Sequence, residues 1–259
     1  MTQHHKATQQ ESAERFAQLH VRGEPLILVN IWDAGSAKVV AQSGAKAVAT
    51  GSHSVAAAHG FEDREALPLD LALANLERIV MSVALPVSID IESGYGERPA
   101  EVASTIRKVL ERGAVGVNLE DQIIGGAGRY SVQAQCGRIQ AAREVAENLG
   151  IALFINARTD VYLQTAPQDH GEAHLEEAVE RANAYAEAGA SGFFAPGLRS
   201  ATSIERLCEA SPLPVNIMLT GNTLTITELA ALGVARISLG PGPYRRMEDA
   251  LRREVAKFL

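Results

Sequence analysis

"AEVASTIRKVLERGAVGVNLE", residues Ala100 to Glu120, holds the unit from which the fold can be read. Val102, Ile106, Val109 and Leu110 recur at intervals of three and four, so one stripe of a helix is apolar. Gly113 follows, the residue that most readily takes the left-handed conformation that ends a helix. Then comes a short apolar run, 115–120, of strand length. The same join of helix, small residues and strand recurs at Gly44-Ala45, Gly189-Ala190 and Gly233-Val234. Strand-like runs occupy 26–31, 47–50, 86–92, 115–120, 153–158, 192–196, 214–218 and 235–240, with amphipathic stretches such as "GRIQAAREVAENLG" between them. Eight strands alternating with helices in 259 residues predict a (β/α)8 TIM barrel. An open doubly wound sheet usually has fewer strands and needs a switch point.

Composition narrows the function classes. At 259 residues and 46% hydrophobic, the chain can bury a large core, and no linker divides it, so 1–259 reads as one domain. A net charge of -7 without a dense Lys/Arg cluster argues against nucleic-acid binding. No apolar run reaches membrane-spanning length, and "MTQHHKATQQESAERF" lacks the apolar centre of a secretory signal. Residues 1–14 read as a flexible tail, with His4 and His5 solvated. Cys136 and Cys208 show no metal spacing and are too few for a disulfide framework, so a cytoplasmic setting is expected.

A barrel carries its active site at the C-terminal ends of its strands. Those ends are Asn30 with Trp32-Asp33, then Thr50, Gly51 and Ser52, then Asp90 and Glu92. Glu120 and Asp121 follow, then Asn156, Arg158 and Asp160, and finally Asn216. In "SIDIESGYGE", 88–97, Asp90 and Glu92 stand two residues apart and would share one face of a strand. Neighbouring carboxylates repel unless a cation lies between them or one is protonated. Asp90, Glu92 and Glu120, without a His or Cys partner set, form an oxygen-only environment. It suits Mg²⁺, with Mn²⁺ as substitute, held partly through water, and does not suit zinc. Arg158 fits a planar carboxylate through paired hydrogen bonds, or else forms an ion pair with Asp160 or Glu120.

Other chemistries find no support. The five lysines (Lys6, Lys38, Lys46, Lys108, Lys257) all lie away from strand C-termini, which disfavours Schiff-base and pyridoxal chemistry. "GGAGRY", 125–130, does not match the dinucleotide fingerprint and reads as a flexible loop. "GPGPYRR", 240–246, reads as a Pro-initiated helix start in preference to a phosphate-holding turn.

"NIWDAGSAKVVAQSGAKAVATGSHSVAAAHGFED", "DIESGYG", "GVNLEDQ" and "NARTDVYL" together resemble the isocitrate lyase/phosphoenolpyruvate mutase superfamily, from about Phe16 to the end of the eighth strand. The resemblance implies a (β/α)8 barrel that uses Mg²⁺ to hold an α-oxo acid, or the enolate formed from it, while C–C or P–C bonds break or form. It also implies a homo-oligomer, dimer or tetramer, in which a C-terminal helix is exchanged between subunits; this chain stops at Leu259, soon after its last helix. Gly51, Ser52, His53 and Ser54 match the family's substrate-binding loop, with Ser52 and neighbouring N–H groups on the substrate's carboxylate and oxo oxygen. Asp63 matches an acid that closes over the site, and Arg158 the arginine that contacts substrate. Asp90 would approach the metal most directly, with Glu92 and Glu120 acting through its waters.

The departures matter as well. The lyases carry a Lys-Lys/Arg-Cys-Gly-His loop whose cysteine is an acid; here Cys136-Gly137 lacks the preceding Lys and the following His, and Cys136 reads as a helix-entry residue. The loop lysine and the Asn or Thr of the mutases and phosphonopyruvate hydrolases are unmatched too. The expected function is therefore Mg²⁺-dependent cleavage of a C–C bond in a small α-oxo or 2-hydroxy acid through a metal-bound enolate, releasing pyruvate. His53, Asp63 and a metal-bound water are the proton-donor candidates. The alternatives are a P–C bond enzyme and a metabolite-binding barrel without turnover.

Overall fold

The computed structural model describes residues 2–221 and 224–259, and of residues 2–8 the backbone alone. The helices are α1 (Thr2–Gln18), α2 (Ala34–Gln42), α3 (Ser52–Ala58), α4 (Leu69–Ser82) and α5 (Pro99–Glu111). They continue with α6 (Val132–Asn148), α7 (Glu172–Glu187), α8 (Ala201–Ala210), α9 (Ile226–Ala231) and α10 (Gly242–Val255). The strand segments are β1 (Leu26–Leu28), β2 (Asn30–Ile31), β3 (Val48–Thr50), β4 (Val87–Asp90) and β5 (Gly116–Glu120). After them come β6 (Phe154–Arg158), β7 (Gly192–Phe194), β8 (Val215–Met218) and β9 (Arg236–Ser238).

All pairings are parallel, in the order β1-β9-β8-β7-β6-β5-β4-β3-β2. Only Val29 separates β1 from β2, so these are two halves of one strand, one half pairing with β9 and the other with β3. The sheet therefore curls into a TIM-type barrel. Strand residues of one parity, such as Ile89, Val117, Ile155, Val215 and Ile237, are buried in the core that the helices cover. The other parity faces inward and carries many polar groups: Ser88, Asn118, Asn156, Asn216, Arg236 and Ser238 are all buried. Arg236 Nη2 on β9 donates to Asn118 Oδ1 on β5 at 3.3 Å, four strands away, so this bond crosses the interior. Burial pushes the Arg236 guanidinium down to about 9, against the pull of Asp90.

The reading of residues 1–14 as a tail needs correction. α1 is helical from Thr2, and its described end docks on the barrel: Gln9 Nε2 donates to the carbonyls of Leu110 and Ala114, and Ala13 and Phe16 are fully buried. Phe16 packs edge-on against Phe154 at 5.4 Å, and His20 stacks on the same ring at 3.9 Å. Phe154 and Gly116 open β6 and β5, so α1 plugs the N-terminal mouth. A Cβ on Gly116 would stand 2.7 Å from the Phe16 ring, which explains glycine there.

A second correction concerns Glu92. β4 ends at Asp90, and Glu92 has φ +51°, a left-handed conformation outside the strand alternation. The two carboxylates are neighbours through a turn and not through a shared strand face.

Candidate active site

Asp90 sits at the C-terminal end of β4, beside the end of β3. Its backbone N–H donates to Thr50 Oγ1 at 3.0 Å, and its carboxylate accepts from the N–H groups of Glu92 (3.1 Å) and Ser52 (3.4 Å). Glu92 Oε2 accepts from Glu65 N–H at 2.9 Å, and Glu65 Oε1 accepts from Tyr95 N–H at 2.8 Å. The loop carrying Asp63, Arg64 and Glu65 is thereby stitched to the turn after β4. Among the described residues, the non-glycine residues with positive φ are Arg64, Glu65, Glu92 and Tyr95, all along this seam. Such conformations cost of order 1–3 kcal/mol each and collect where surrounding structure holds a working geometry. Arg138 on α6 braces the turn from behind, donating to the carbonyls of Gly96 (2.8 Å), Glu97 (2.7 Å) and Ser93, with its guanidinium 4.1 Å over the Tyr130 ring.

Glu120 and Arg158 end β5 and β6 in direct register. Arg158 Nη1 lies 2.6 Å from Glu120 Oε2, while Nε and Nη2 grip Asp160 at 2.7 and 2.9 Å. The ion-pair alternative is thus what the side chain adopts, toward both acids at once. Burial raises the carboxyls of Asp90 and Glu120, with Arg158 opposing. Glu92 is pushed up to about 8 by burial and then by the charges of Asp90 and Asp63.

Two adjoining cavities collect these groups. One, of 190 Å³, is lined by Gly51, Ser52, His53, Asp63, Asp90 and Arg158, over a floor that includes Asn30, Asn118 and Ser238. The other, of 210 Å³, is lined by Glu92, Glu120 and Asp160, and shares Ser52, Asp63 and Arg158 with the first. His53 Nδ1 faces Asp63 Oδ2 at 3.9 Å. Asn216 lies deeper, exchanging hydrogen bonds with Ser238, and does not line the cavity. Cys136 lies within α6 and points away, its Sγ donating to Ala184 O on α7 at 3.4 Å; burial raises its thiol. Arg129, in the stretch read as a flexible loop, is anchored to Glu177 at 2.9 Å.

Among the described residues, no three His, Cys, Asp or Glu side chains close on one point as an all-protein metal cage requires. Asp90, Glu92 and Glu120 are therefore not a directly coordinating triad as they stand. The donor set still fits a hard cation bound through one or two carboxylates and several waters, the way Mg²⁺ is usually held. Among the described residues, one buried carboxylate oxygen without a hydrogen-bond or ion-pair partner, Asp63 Oδ1, adds to that fit.

Residues that strand-end reasoning passed over are Asn118 and Ser238. Their signal was a polar side chain inside an apolar run, in "VGVNLE" and "ARISLG".

Known proteins place this site in a family. A phosphoenolpyruvate phosphomutase model matches residues 16–259. A Burkholderia cenocepacia protein of known structure, described as a candidate phosphonomutase, is 50% identical over 97% of this chain and 100% of its own, with TM-score 0.95. A Mycobacterium tuberculosis protein without an assigned function is 32% identical, covering 88% of this chain and 83% of its own. 2-Methylisocitrate lyase of Halalkalibacterium halodurans is 31% identical, covering 85% and 72%. On a match that spans nearly the whole chain, the protein belongs to the phosphoenolpyruvate phosphomutase family, within the isocitrate lyase/phosphoenolpyruvate mutase superfamily of lyases and mutases.

Proposed function

We propose that this protein is a Mg²⁺-dependent lyase that cleaves a C–C bond of a small α-oxo or 2-hydroxy acid by way of an enolate, releasing pyruvate. The observation that carries the reading is the grouping of Asp90, Glu92, Glu120 and Arg158 around two adjoining cavities at the strands' C-terminal ends. A hard divalent cation there supplies a Lewis acid for the oxo oxygen and offsets the charge that develops as the bond breaks. Asp90 would hold it most directly, with Glu92 and Glu120 reaching it through water.

The chain's own groups divide the remaining work. Ser52 and the N–H groups at the start of α3 bind the substrate carboxylate. Arg158, braced between Glu120 and Asp160, lends positive charge to the wall it lines. His53 and Asp63, which face each other at 3.9 Å on the cavity wall, would deliver the proton to the enolate carbon. Cys136 takes no part, which separates this chain from the cysteine-dependent lyases. A cavity of 190 Å³ suits a small acid and is below the ~300–1,000 Å³ of pockets for larger ligands. A homodimer or homotetramer is the expected working form.

A second reading, P–C bond chemistry, is favoured by the 50% identical candidate phosphonomutase. Purified protein incubated with oxaloacetate, 2-methylisocitrate, 4-hydroxy-2-oxo acids and phosphonopyruvate tests both, with pyruvate and, for the isomerisation of phosphonopyruvate, phosphoenolpyruvate each followed by a coupled assay. The expected result is pyruvate from a C–C substrate, lost with chelator and restored by Mg²⁺. Turnover of phosphonopyruvate alone would replace the first reading by the second. Oxalate binding with no turnover of any of them would point to a binding barrel.

A further inference from the structure

Beneath the cavity floor lies an arginine that, among the described residues, forms no salt bridge with a carboxylate. Arg236 is 1% exposed, and among the described residues its Nη1 has no hydrogen-bond partner and its Nε reaches only Ser238 Oγ at 3.4 Å. A buried guanidinium with no carboxylate in direct contact, and only the field of Asp90 to offset its burial, is costly to keep. Its remaining contact, Nη2 to Asn118 at 3.3 Å, gives it a task. Arginine only donates, so the atom of Asn118 that faces it must be the amide oxygen. Asn156 Nδ2 donates to the same oxygen at 2.9 Å, from the neighbouring strand. With Oδ1 held from two sides, Asn118 Nδ2 must point elsewhere. It makes no hydrogen bond within the described residues, it is not among the enclosed atoms, and Asn118 lines the cavity beside Asp90 and Arg158.

We propose that Asn118 presents its side-chain N–H to an oxygen of the bound oxo acid, and that Arg236 is the positioning residue that keeps the amide turned that way. The inference rests on the oxo-acid reading of this cavity and adds a neutral donor at its floor. Such a donor suits an oxygen whose negative charge grows during reaction, because it adds no charge of its own to a crowded acidic site. No proton moves at Asn118 and no bond is made there.

The test is calorimetric titration of the full chain with oxalate in saturating Mg²⁺, with melting temperatures of the same samples. Asn118→Asp keeps an oxygen for Arg236 and Asn156 and gives Arg236 a counter-ion, so it should fold at least as stably as wild type. It replaces the donor by an anion, and oxalate binding should weaken by about tenfold or more. Asn118→Leu is neutral and should weaken binding too, which separates the lost donor from the added charge. Arg236→Met frees the amide to turn and should weaken binding severalfold, while Arg236→Lys, which still donates to Oδ1, should bind close to wild type. Asn118→Asp and Asn118→Leu binding oxalate as wild type does would overturn the inference alone. So would Arg236→Met lowering the melting temperature with affinity unchanged. A wild type blind to oxalate, with or without Mg²⁺, would overturn the oxo-acid reading and the donor assignment together.

Discussion

Arg158 holds two buried carboxylates at once, Asp160 through paired bonds of 2.7 and 2.9 Å and Glu120 through a third nitrogen at 2.6 Å. The three side chains come from the ends of neighbouring strands β5 and β6 and the turn that follows. A planar five-donor fork can serve both acids, whereas a lysine ammonium is one point of charge on a flexible stem.

Arg158→Lys should therefore change stability and function together. Leaving Glu120 or Asp160 short of its partner should cost about 1–3 kcal/mol, less than outright removal of a buried partner. For a domain of this size that is a melting-temperature drop of roughly 2–10 °C. The kcat/KM on the oxo acid should fall by about tenfold or more, with weaker oxalate inhibition. Thermal melting alongside steady-state kinetics checks it: a lower melting temperature with unchanged kinetics would reduce Arg158 to a structural clasp.

Cys136→Ser should leave turnover within a fewfold of wild type, and isocitrate should yield no glyoxylate. The thiol faces α7, and burial raises its pKa, with the Glu187 charge adding to the rise. A thiol so placed neither reaches the cavity nor ionises readily. Loss of activity in Cys136→Ser, or efficient isocitrate cleavage, would restore the cysteine-dependent mechanism.

His20, at the opposite end of the barrel, should make stability fall in mild acid. Burial first, and then the Arg236 charge, push its pKa from 6.5 down to about 3. The unfolded chain then binds the proton that the folded chain refuses. Stability from this group is complete above about pH 6.5, declines as pH falls toward 3, and at pH 5 has lost about 2 kcal/mol. His20→Phe should flatten that limb of the pH profile. Urea denaturation at pH 7.5 and pH 5 measures it, and an equal pH slope in variant and wild type would rule His20 out as the cause.

Why the sequence revealed some of this and not the rest follows from where each signal lies. The helix–glycine–strand unit at Ala100–Glu120 is local, and so are Asp90, Glu120 and Arg158, which fall at strand ends that the apolar runs themselves mark. α1 was not legible, because Ala13 and Phe16 alone do not make an apolar stripe and their partners, Gly116 and Phe154, lie about a hundred residues away or more. Glu92 was misplaced because strand alternation was extended two residues past Asp90, into a turn set by positive φ and by Glu65. Asn118 and Arg236 lie inside strands and meet only when the barrel closes, so no spacing in the chain brings them together.

The measurement that bears most directly on the proposed chemistry is a crystal soaked with Mn²⁺ and oxalate, with diffraction recorded at the manganese absorption edge. The expected result is one anomalous peak at the C-terminal mouth, about 2.1 Å from an oxygen of Asp90, with Glu92 and Glu120 reached through water and oxalate completing the octahedron. No peak, or a peak beyond a bridging water's reach of all three carboxylates, would contradict it.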